Sequence, residues 1–454
     1  MGRQSPFDCK QENCVSEVLR PEQEKGALKG ATTDLLFDLG FVGGRVIDVE
    51  NAHYEFAIVG GGPAGSACAN ALLLEGASSV LLVDRARFPR DKICGDGIGP
   101  GVIAILDALE LGHILDGHRR VTQMVMTSPL GGRMTLNDNQ IKNQSPLGYV
   151  IRRTEFDHAL VNAAVHRGCA DMTGWNLETV ARADDRWHLD LTNSQNGEPC
   201  SVTADVLIGA DGATSRVRRL LGQPFNHEKH VSVSMRILAR TQPTFPARQE
   251  LNVEEELPIP GYAWNFATGS GTVNVGFICD TLTYKAHGRH LREILTTYKG
   301  LLPDTLAYDE TTRHSQILPL ASQMPPLAYP KVSAALIGDA ASMINPLTGE
   351  GIFYGMEAGL KLGRGLARAE KTQEARARAL VTYEREFRRT FTGHFRGNYY
   401  LRKLIEKPAL FDRMLRAGSR NTDLCCDCIE YMMGNESGVG KKPLYELALR
   451  TMFA

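Results

Sequence analysis

The sequence predicts an α/β fold, α+β overall, in which a Rossmann-type domain is interleaved with an antiparallel sheet and followed by a helical C-terminal region. Three observations predict it. A buried-strand run beginning at Tyr54 ends in glycines and continues into an apolar helix and a second strand, SVLLVD. The same succession of strand, glycine turn and helix returns at 204–222 and 334–363. Between these, residues 226–329 carry alternating β-type segments such as VSVSMRILAR and GTVNVGFICD.

This order of segments divides the chain into four parts, each with its own character. We interpret them as an N-terminal extension (1–53), a discontinuous Rossmann-type domain (54–225 and 330–370), a substrate-binding β-sheet domain (226–329) and a helical region that is basic on one face (371–454).

Composition limits the classes of function. Lys and Arg total 51 against 52 Asp and Glu, so the net charge is −1 and offers no general attraction to a polyanion. We therefore expect no nucleic-acid partner. The first thirty residues are polar where a signal peptide has its apolar core, and no run of 18 apolar residues occurs, so we expect a cytoplasmic protein with reduced cysteines.

The first glycine turn has the form G-x-G-x-x-G, formed by Gly60, Gly62 and Gly65 directly after a strand and at the start of a helix. Gly60 permits a tight turn, Gly62 lets the backbone approach a pyrophosphate, and Gly65 lets helix and strand pack closely. Asp84 ends the second strand, where a carboxylate can accept hydrogen bonds from ribose hydroxyls. These features predict a bound dinucleotide.

The other two glycine turns indicate which dinucleotide binds. The segments Gly209–Arg216 and Gly338–Gly351, in this order after the first turn, resemble the flavoprotein hydroxylases of the para-hydroxybenzoate hydroxylase type. The resemblance implies FAD. It carries cofactor contacts over to Asp339, at the ribitol, and to the loop against the isoalloxazine ring. The further contacts that we expect are Arg85, Arg153 before Phe156-Asp157 in a helix entered near Thr154, Asp211, Gly212, Pro346, Gly349 and Gly351.

Two shorter motifs narrow the resemblance. The run Asp91-Lys92-Ile93-Cys94-Gly95-Asp96-Gly97 and the strand Tyr262-Ala263-Trp264-Asn265-Phe266 are similar to stretches of the geranylgeranyl reductase family, whose members bind FAD and saturate prenyl double bonds. The sequence departs from that family at Ala267, where a Pro is usual, and in its long N-terminal extension.

The aromatic strand and Cys94 are the candidate substrate-binding and catalytic residues. Tyr262, Trp264 and Phe266 alternate, so they share one face of a strand and form either a flat apolar wall for a substrate or ordinary core packing. Cys94 is either a proton donor beside the flavin or a small buried hydrophobic residue.

The predicted function is FAD-dependent C=C reduction of a hydrophobic, isoprenoid or polycyclic substrate, with flavin-dependent monooxygenation or epoxidation as the alternative. No second G-x-G-x-x-G occurs, so NAD(P)H or another electron donor is expected to visit the flavin transiently. The three Trp residues, at 175, 187 and 264, exclude the W-x-W-x-I-P motif of halogenases.

Two further features are left with open or negative interpretations. The basic face of the C-terminal helices is either solvated or a peripheral membrane contact. The cluster Cys425-Cys426-Asp427-Cys428 lacks further ligands at zinc spacing, so no metal is expected.

Overall fold

The computed structural model describes residues 52–140 and 146–433. These residues belong to one unit of the chain, Glu50–Ala454. Nearly all of the predicted extension, 1–53, lies outside the described residues, as does the end of the predicted helical region.

The strands form two large sheets and a short two-stranded one. In chain order they are β1 His53–Val59, β2 Val80–Asp84, β3 Gly97–Ile98, β4 Gln123–Thr127, β5 Arg133–Asn137, β6 Tyr149–Val150, β7 Ala170–Thr173, β8 Trp175–Ala183, β9 Arg186–Asn193, β10 Pro199–Gly209, β11 Val231–Arg240, β12 Arg248–Asn252, β13 Gly261–Ala267, β14 Thr272–Asp280, β15 Ala307–Pro319, β16 Ala328–Tyr329 and β17 Ala334–Leu336.

The α-helices pack on both sheets. In chain order they are α1 Pro63–Leu74, α2 Pro100–Ala108, α3 Arg153–His166, α4 Arg216–Leu220, α5 Thr281–His287, α6 Leu291–Leu301, α7 Ile352–Ala367, α8 Gln373–Ile405, α9 Pro408–Ser419 and α10 Thr422–Met433.

The first sheet is the predicted Rossmann-type layer, and its order is β16-β17-β10-β1-β2-β7. From β17 to β7 the neighbouring strands are parallel. Most of β1 and β2 is buried, as expected of strands that have helices on both faces. Helix α7 packs closely against α1. A Cβ added to Gly359 of α7 would lie only 2.4 Å from the Ala64 carbonyl oxygen of α1.

The second sheet has the order β15-β11-β14-β13-β12-β4-β5 and is antiparallel except between β12 and β4. Its strands β11 and β14 confirm the two β segments read from the sequence. Strands β4 and β5 come from residues 123–137, which we had placed in the Rossmann-type domain. This hairpin covers the edge of β12, which would otherwise present unpaired backbone groups. Helices α5 and α6 also lie within 226–329, where only strands were expected.

The C-terminal part is helical, as predicted. Phe411 and Leu415 of α9 and Ile429 of α10 share a buried apolar cluster with Met124 of β4 and Met134 of β5. The last helices therefore form a wall over the second sheet. Within the described part of the chain, no helix is both long and apolar enough to cross a membrane.

Candidate active site

A cavity of about 260 Å³, open to solvent on one side, lies between the two sheets. Its walls include the three glycine turns, at Gly62, Gly212 and Asp339, which follow the carboxyl ends of β1, β10 and β17. Ligands of open α/β sheets bind at this edge, where parallel strands end together. The cavity is therefore where the predicted cofactor site should be.

The first turn has the geometry that its glycines predicted. Gly60 has φ of +113°, and a Cβ there would meet the Ala210 carbonyl oxygen at 2.2 Å. A Cβ on Gly65 would lie 1.9 Å from the Gly60 oxygen. At Gly62 the nearest atom to an added Cβ is a guanidinium nitrogen of Arg90, at 3.7 Å. Gly60 and Gly65 thus shape the turn, whereas Gly62 leaves room in the cavity for a ligand.

Three predicted cofactor contacts lie beside the cavity and do not line it. Asp84 accepts hydrogen bonds of 2.8 Å from the backbone N–H groups of Gly61 and Ala86. Asp211 accepts from the Ser215 hydroxyl at 2.5 Å and the Arg216 N–H at 2.6 Å, so it supports the start of helix α4, whose N-cap is Ser215. Arg85 is exposed. The sequence motifs therefore predicted where the turns lie, and the two acids Asp84 and Asp211 stabilise those turns by accepting hydrogen bonds.

Arg153 is a charged group in the cavity wall with only 3% of its surface exposed. Its Nε and Nη2 donate to the two carboxylate oxygens of Asp157 at 2.6 Å, and Arg90 donates to the same carboxylate at 2.7 Å. Burial lowers the pKa of Arg153, but the Asp157 carboxylate outweighs this effect and keeps the pKa above its usual value. The site retains a fixed positive charge.

Asp339, the predicted ribitol contact, lines the cavity and pairs with Lys92, whose Nζ lies 2.9 Å from Oδ2. The two residues are 247 positions apart. Sequence reasoning assigned Lys92 only to a motif and gave it no contact.

The loop after Asp339 is held by a buried polar cluster. Asn345 Oδ1 accepts from the Leu347 N–H at 2.9 Å, and its Nδ2 donates to the Tyr354 hydroxyl at 3.0 Å. That hydroxyl lies 2.7 Å from Nε2 of His394 on α8. Burial lowers the pKa of His394 to about 4, so its ring is neutral at pH 7. The cluster fixes the loop that carries Pro346, which is buried and does not itself line the cavity, and Gly349 and Gly351, which do.

The aromatic strand faces the cavity as predicted. Tyr262, Trp264 and Phe266 all line it, with successive ring centroids 6.4 and 6.5 Å apart. The segment around Cys94 packs directly against these rings, since a Cβ on Gly95 would lie 3.1 Å from the Phe266 ring. The two family motifs, far apart in the sequence, therefore form one surface.

Asn274 of the neighbouring strand β14 ties this surface together. Its Oδ1 accepts from the Trp264 indole N–H at 2.8 Å. Its Nδ2 lies 2.7 Å from both the Cys94 carbonyl oxygen and Oδ2 of Asp96. Asp96 has 1% of its surface exposed. Burial raises its pKa to about 6, although the hydrogen bond from Asn274 lowers the pKa in part. Sequence reasoning assigned Asp96 only to a motif and predicted no role for Asn274.

Cys94 lines the cavity and carries a thiol at neutral pH. Burial raises its pKa, and the nearby positive charge of Arg153 opposes this only in part. A thiol that keeps its proton can act as an acid, whereas an activated nucleophile would need a lowered pKa.

The comparisons with known proteins agree with this geometry. Residues 53–395 match the family described as FAD binding domain. The menaquinone reductase of Mycobacterium tuberculosis is 33% identical over 311 residues, covering 67% of this chain and 74% of that protein. The digeranylgeranylglycerophospholipid reductase 1 of Methanothermobacter thermautotrophicus is 29% identical over 346 residues, covering 73% and 81%.

A solved structure shares the fold. The geranylgeranyl bacteriochlorophyll reductase-like protein of Thermoplasma acidophilum superposes with a TM-score of 0.73 at 20% identity, covering 88% of this chain and 99% of that one. The chain belongs to the FAD-binding domain family, in the group of geranylgeranyl reductase-like flavoproteins.

The residues present in this flavoprotein fit FAD. The open space beside Gly62, where an added Cβ would meet no atom nearer than 3.7 Å, and the N-terminus of α1 suit the pyrophosphate, because helix N-termini offer N–H donors to phosphate. The Lys92–Asp339 pair and the loop at Gly349–Gly351 line the same cavity. The chain is an FAD-dependent oxidoreductase.

The flavoprotein also has an apolar extension of the cavity that sequence reasoning did not find. Its walls come from three places: Met124 and Met126 of β4, Leu251 and Val253 in and after β12, and Phe411, Met414, Leu415 and Ile429 of the last two helices. No local pattern could reveal it, since these segments meet only when β4 pairs with β12 and α9 packs on them.

Among residues 52–140 and 146–433, no group of three or more His, Cys, Asp or Glu side chains is placed to hold a metal. Of the C-terminal cysteines, Cys428 lines the cavity and Cys425 belongs to the buried cluster.

Proposed function

We propose that this protein reduces carbon–carbon double bonds in the isoprenoid chain of a lipid or quinone. The observation that carries the proposal is the continuity of the cavity, which runs from the glycine turns past the aromatic wall and Cys94 to the apolar side chains of α9 and α10. An isoprenoid chain is apolar along its whole length and matches this lining. The names of the two relatives, a menaquinone reductase and a digeranylgeranylglycerophospholipid reductase, support the same substrate class.

Reduced FAD supplies a hydride to one carbon of the double bond when it is bound. The flat faces of Tyr262, Trp264 and Phe266 bind and orient the chain, while the surrounding apolar side chains exclude water. Trp264 has 6% of its surface exposed, and its ring is fixed by the hydrogen bond to Asn274. The wall is therefore rigid where it meets the substrate.

Cys94 donates the proton that the second carbon requires. Its raised pKa keeps the thiol protonated, and its place beside the aromatic wall brings the sulfur into the same cavity as the chain. Hydride and proton together saturate the bond, so no oxygen is consumed.

We further propose that NAD(P)H or another electron donor reduces the flavin during a transient visit. A lipid substrate also favours peripheral contact with a membrane surface. The exposed Arg389, Arg396 and Lys403 of α8, Arg413 of α9 and Arg420 directly after α9 would face anionic headgroups.

The deciding experiment is an anaerobic incubation of the dithionite-reduced protein with menaquinone. After the quinone ring has been reoxidised in air, we expect the product to be heavier than menaquinone by two hydrogens per reduced double bond of the chain, with no oxygen atom gained. The variant C94A should slow the reaction, and C200A, which removes a buried cysteine outside the cavity lining, should not. A product that forms only in air and gains an oxygen atom would overturn the proposal in favour of monooxygenation.

A further inference from the structure

Glu350 is a second acid in the cavity of Cys94, and the reaction described above does not use it. It lies in the loop before α7 and lines the cavity together with Cys94, Tyr262 and Arg153. The sequence motif that contains it gave roles only to the flanking glycines.

The Glu350 carboxyl group has a fixed direction. Its Oε1 accepts a hydrogen bond of 2.7 Å from the Phe353 N–H, which lies in the first turn of α7. The backbone on its N-terminal side is held by Asn345, whose carbonyl oxygen accepts from the Gly349 N–H at 3.0 Å. A helix cap alone would explain this hydrogen bond, but the carboxyl group also lines the cavity that contains Cys94.

Charged and titratable groups face Glu350 from every side of the cavity. Arg153 approaches from α3, Asp339 from the turn after β17, Cys94 from its own loop, Tyr262 from β13, and Tyr354 from α7. Burial raises the pKa of Glu350 to about 7, the backbone N–H groups of Phe353 and Ile352 oppose this, and Arg153 opposes it further. Glu350 thus exchanges a proton in the neutral range.

Cys94 and Glu350 are electrostatically coupled. The negative charge of Glu350 is one of the causes that raise the pKa of the Cys94 thiol, after burial and Asp96. A thiolate formed at Cys94 and a carboxylate at Glu350 would repel each other inside the same apolar space. The shared cavity therefore disfavours the state in which both groups have lost their protons.

We propose that Glu350 is the proton store that restores the Cys94 thiol after each reduction. The proposal rests on the function proposed above. Cys94 gives its proton to the substrate carbon and becomes a thiolate; the Glu350 carboxyl group then protonates the sulfur, and its carboxylate takes up a proton from solvent. The protein returns to its starting state, and the substrate has gained one hydride from the reduced cofactor and one proton drawn ultimately from water.

The variant E350Q tests the proposal, because its amide oxygen can still accept the Phe353 N–H but cannot hold a proton. With pre-reduced holoenzyme and one equivalent of menaquinone, the first turnover should keep its rate, since Cys94 is already protonated. Steady-state turnover near pH 6.5 should fall on the order of 10²-fold. The variant E357Q, a buried Glu to Gln change in helix α7 just after the Glu350 loop, is the matched control and should change neither rate.

The pH profile separates proton storage from a structural role. In the wild type, steady-state turnover should fall as the pH rises through about 7, where Glu350 loses its proton, whereas E350Q should show no such step. The proposal would be overturned if E350Q slowed the first and the later turnovers equally, or if its pH profile matched that of the wild type. It would also be overturned if D96N slowed steady-state turnover and E350Q did not.

A second measurement does not depend on the reaction. The rate of Cys94 alkylation by iodoacetamide, followed by peptide mass spectrometry of the holoenzyme, reports the thiolate fraction. In E350Q the midpoint of the rate against pH should move to lower pH, and in E357Q it should stay. If the midpoint in E350Q did not move, the coupling between Glu350 and Cys94 would be overturned even if the protein reduces menaquinone. If the midpoint moved, the coupling would be supported even if the protein does not reduce menaquinone.

Discussion

Trp264 and Asn274 are joined across strands β13 and β14 by a 2.8 Å hydrogen bond from the indole N–H to Oδ1. The other end of the same amide holds the Cys94 carbonyl and the Asp96 carboxylate. One buried side chain thus connects the aromatic wall of Tyr262, Trp264 and Phe266 to the segment that carries Cys94.

We predict that N274A destabilises the fold and loosens the Cys94 segment. The truncation leaves the Trp264 N–H and the Cys94 carbonyl without this partner, and each buried unsatisfied group costs about 1–3 kcal/mol. Urea unfolding of the apoprotein should show a lower midpoint at an unchanged slope. The exposed N162A on α3 is the control, and equal midpoints for the two variants would contradict the network.

The glycines of the first turn should separate cofactor binding from folding. At Gly62 an added side chain meets nothing closer than a flexible guanidinium at 3.7 Å, so G62V should fold while its side chain fills the pyrophosphate space. At Gly65 a Cβ would lie 1.9 Å from a backbone oxygen, so G65A should destabilise the fold itself. Circular dichroism and FAD titration of the two apoproteins distinguish these outcomes, and a G62V protein that binds FAD at wild-type affinity would contradict the site.

Local patterns predicted the parts of the molecule that depend on neighbouring residues. Strand β1, the turn at Gly60–Gly65 and helix α3 depend on periodicity and turn chemistry, and each occurs where expected. The shared face of Tyr262 and Trp264 follows from strand alternation alone, and both residues line the cavity.

The remainder depends on contacts that no local pattern carries. Asn274 meets the Asp96 carboxylate 178 positions away, and β4 joins β12 only because the second sheet has an edge to cover. The neutral-range pKa of Glu350 arises from burial by several separate segments. The cofactor contact of Asp211, the acid of the second glycine turn, stays a prediction from resemblance, and no local pattern predicted that its carboxylate also accepts from Ser215 and Arg216.

Removal of the central aromatic ring should mainly weaken substrate binding. W264A deletes a side chain with 6% of its surface exposed. Truncation of a fully buried aromatic ring lowers the free energy of unfolding by about 3–5 kcal/mol. We expect a higher KM for menaquinone with little change in the rate of flavin reduction by the electron donor. W175A, on β8 outside the cavity lining, is the control. If W264A changed only the reduction of the flavin, the aromatic wall would not be the substrate surface.

The cluster around His394 should make folding stability depend on pH. His394 has 3% of its surface exposed, and burial lowers its pKa from 6.5 to about 4. Between these values the unfolded chain binds a proton that the folded protein does not, so stability is complete above pH 6.5 and falls as the pH drops toward 4. One pKa unit corresponds to 1.36 kcal/mol, so the loss is on the order of 3 kcal/mol. Urea unfolding at several pH values should show this decline in the wild type and a smaller one in H394Q, while the exposed H188Q should follow the wild type. Parallel curves for wild type and H394Q would mean that folding leaves the pKa of His394 unchanged, which would contradict the burial of a neutral ring beside Tyr354 and Asn345.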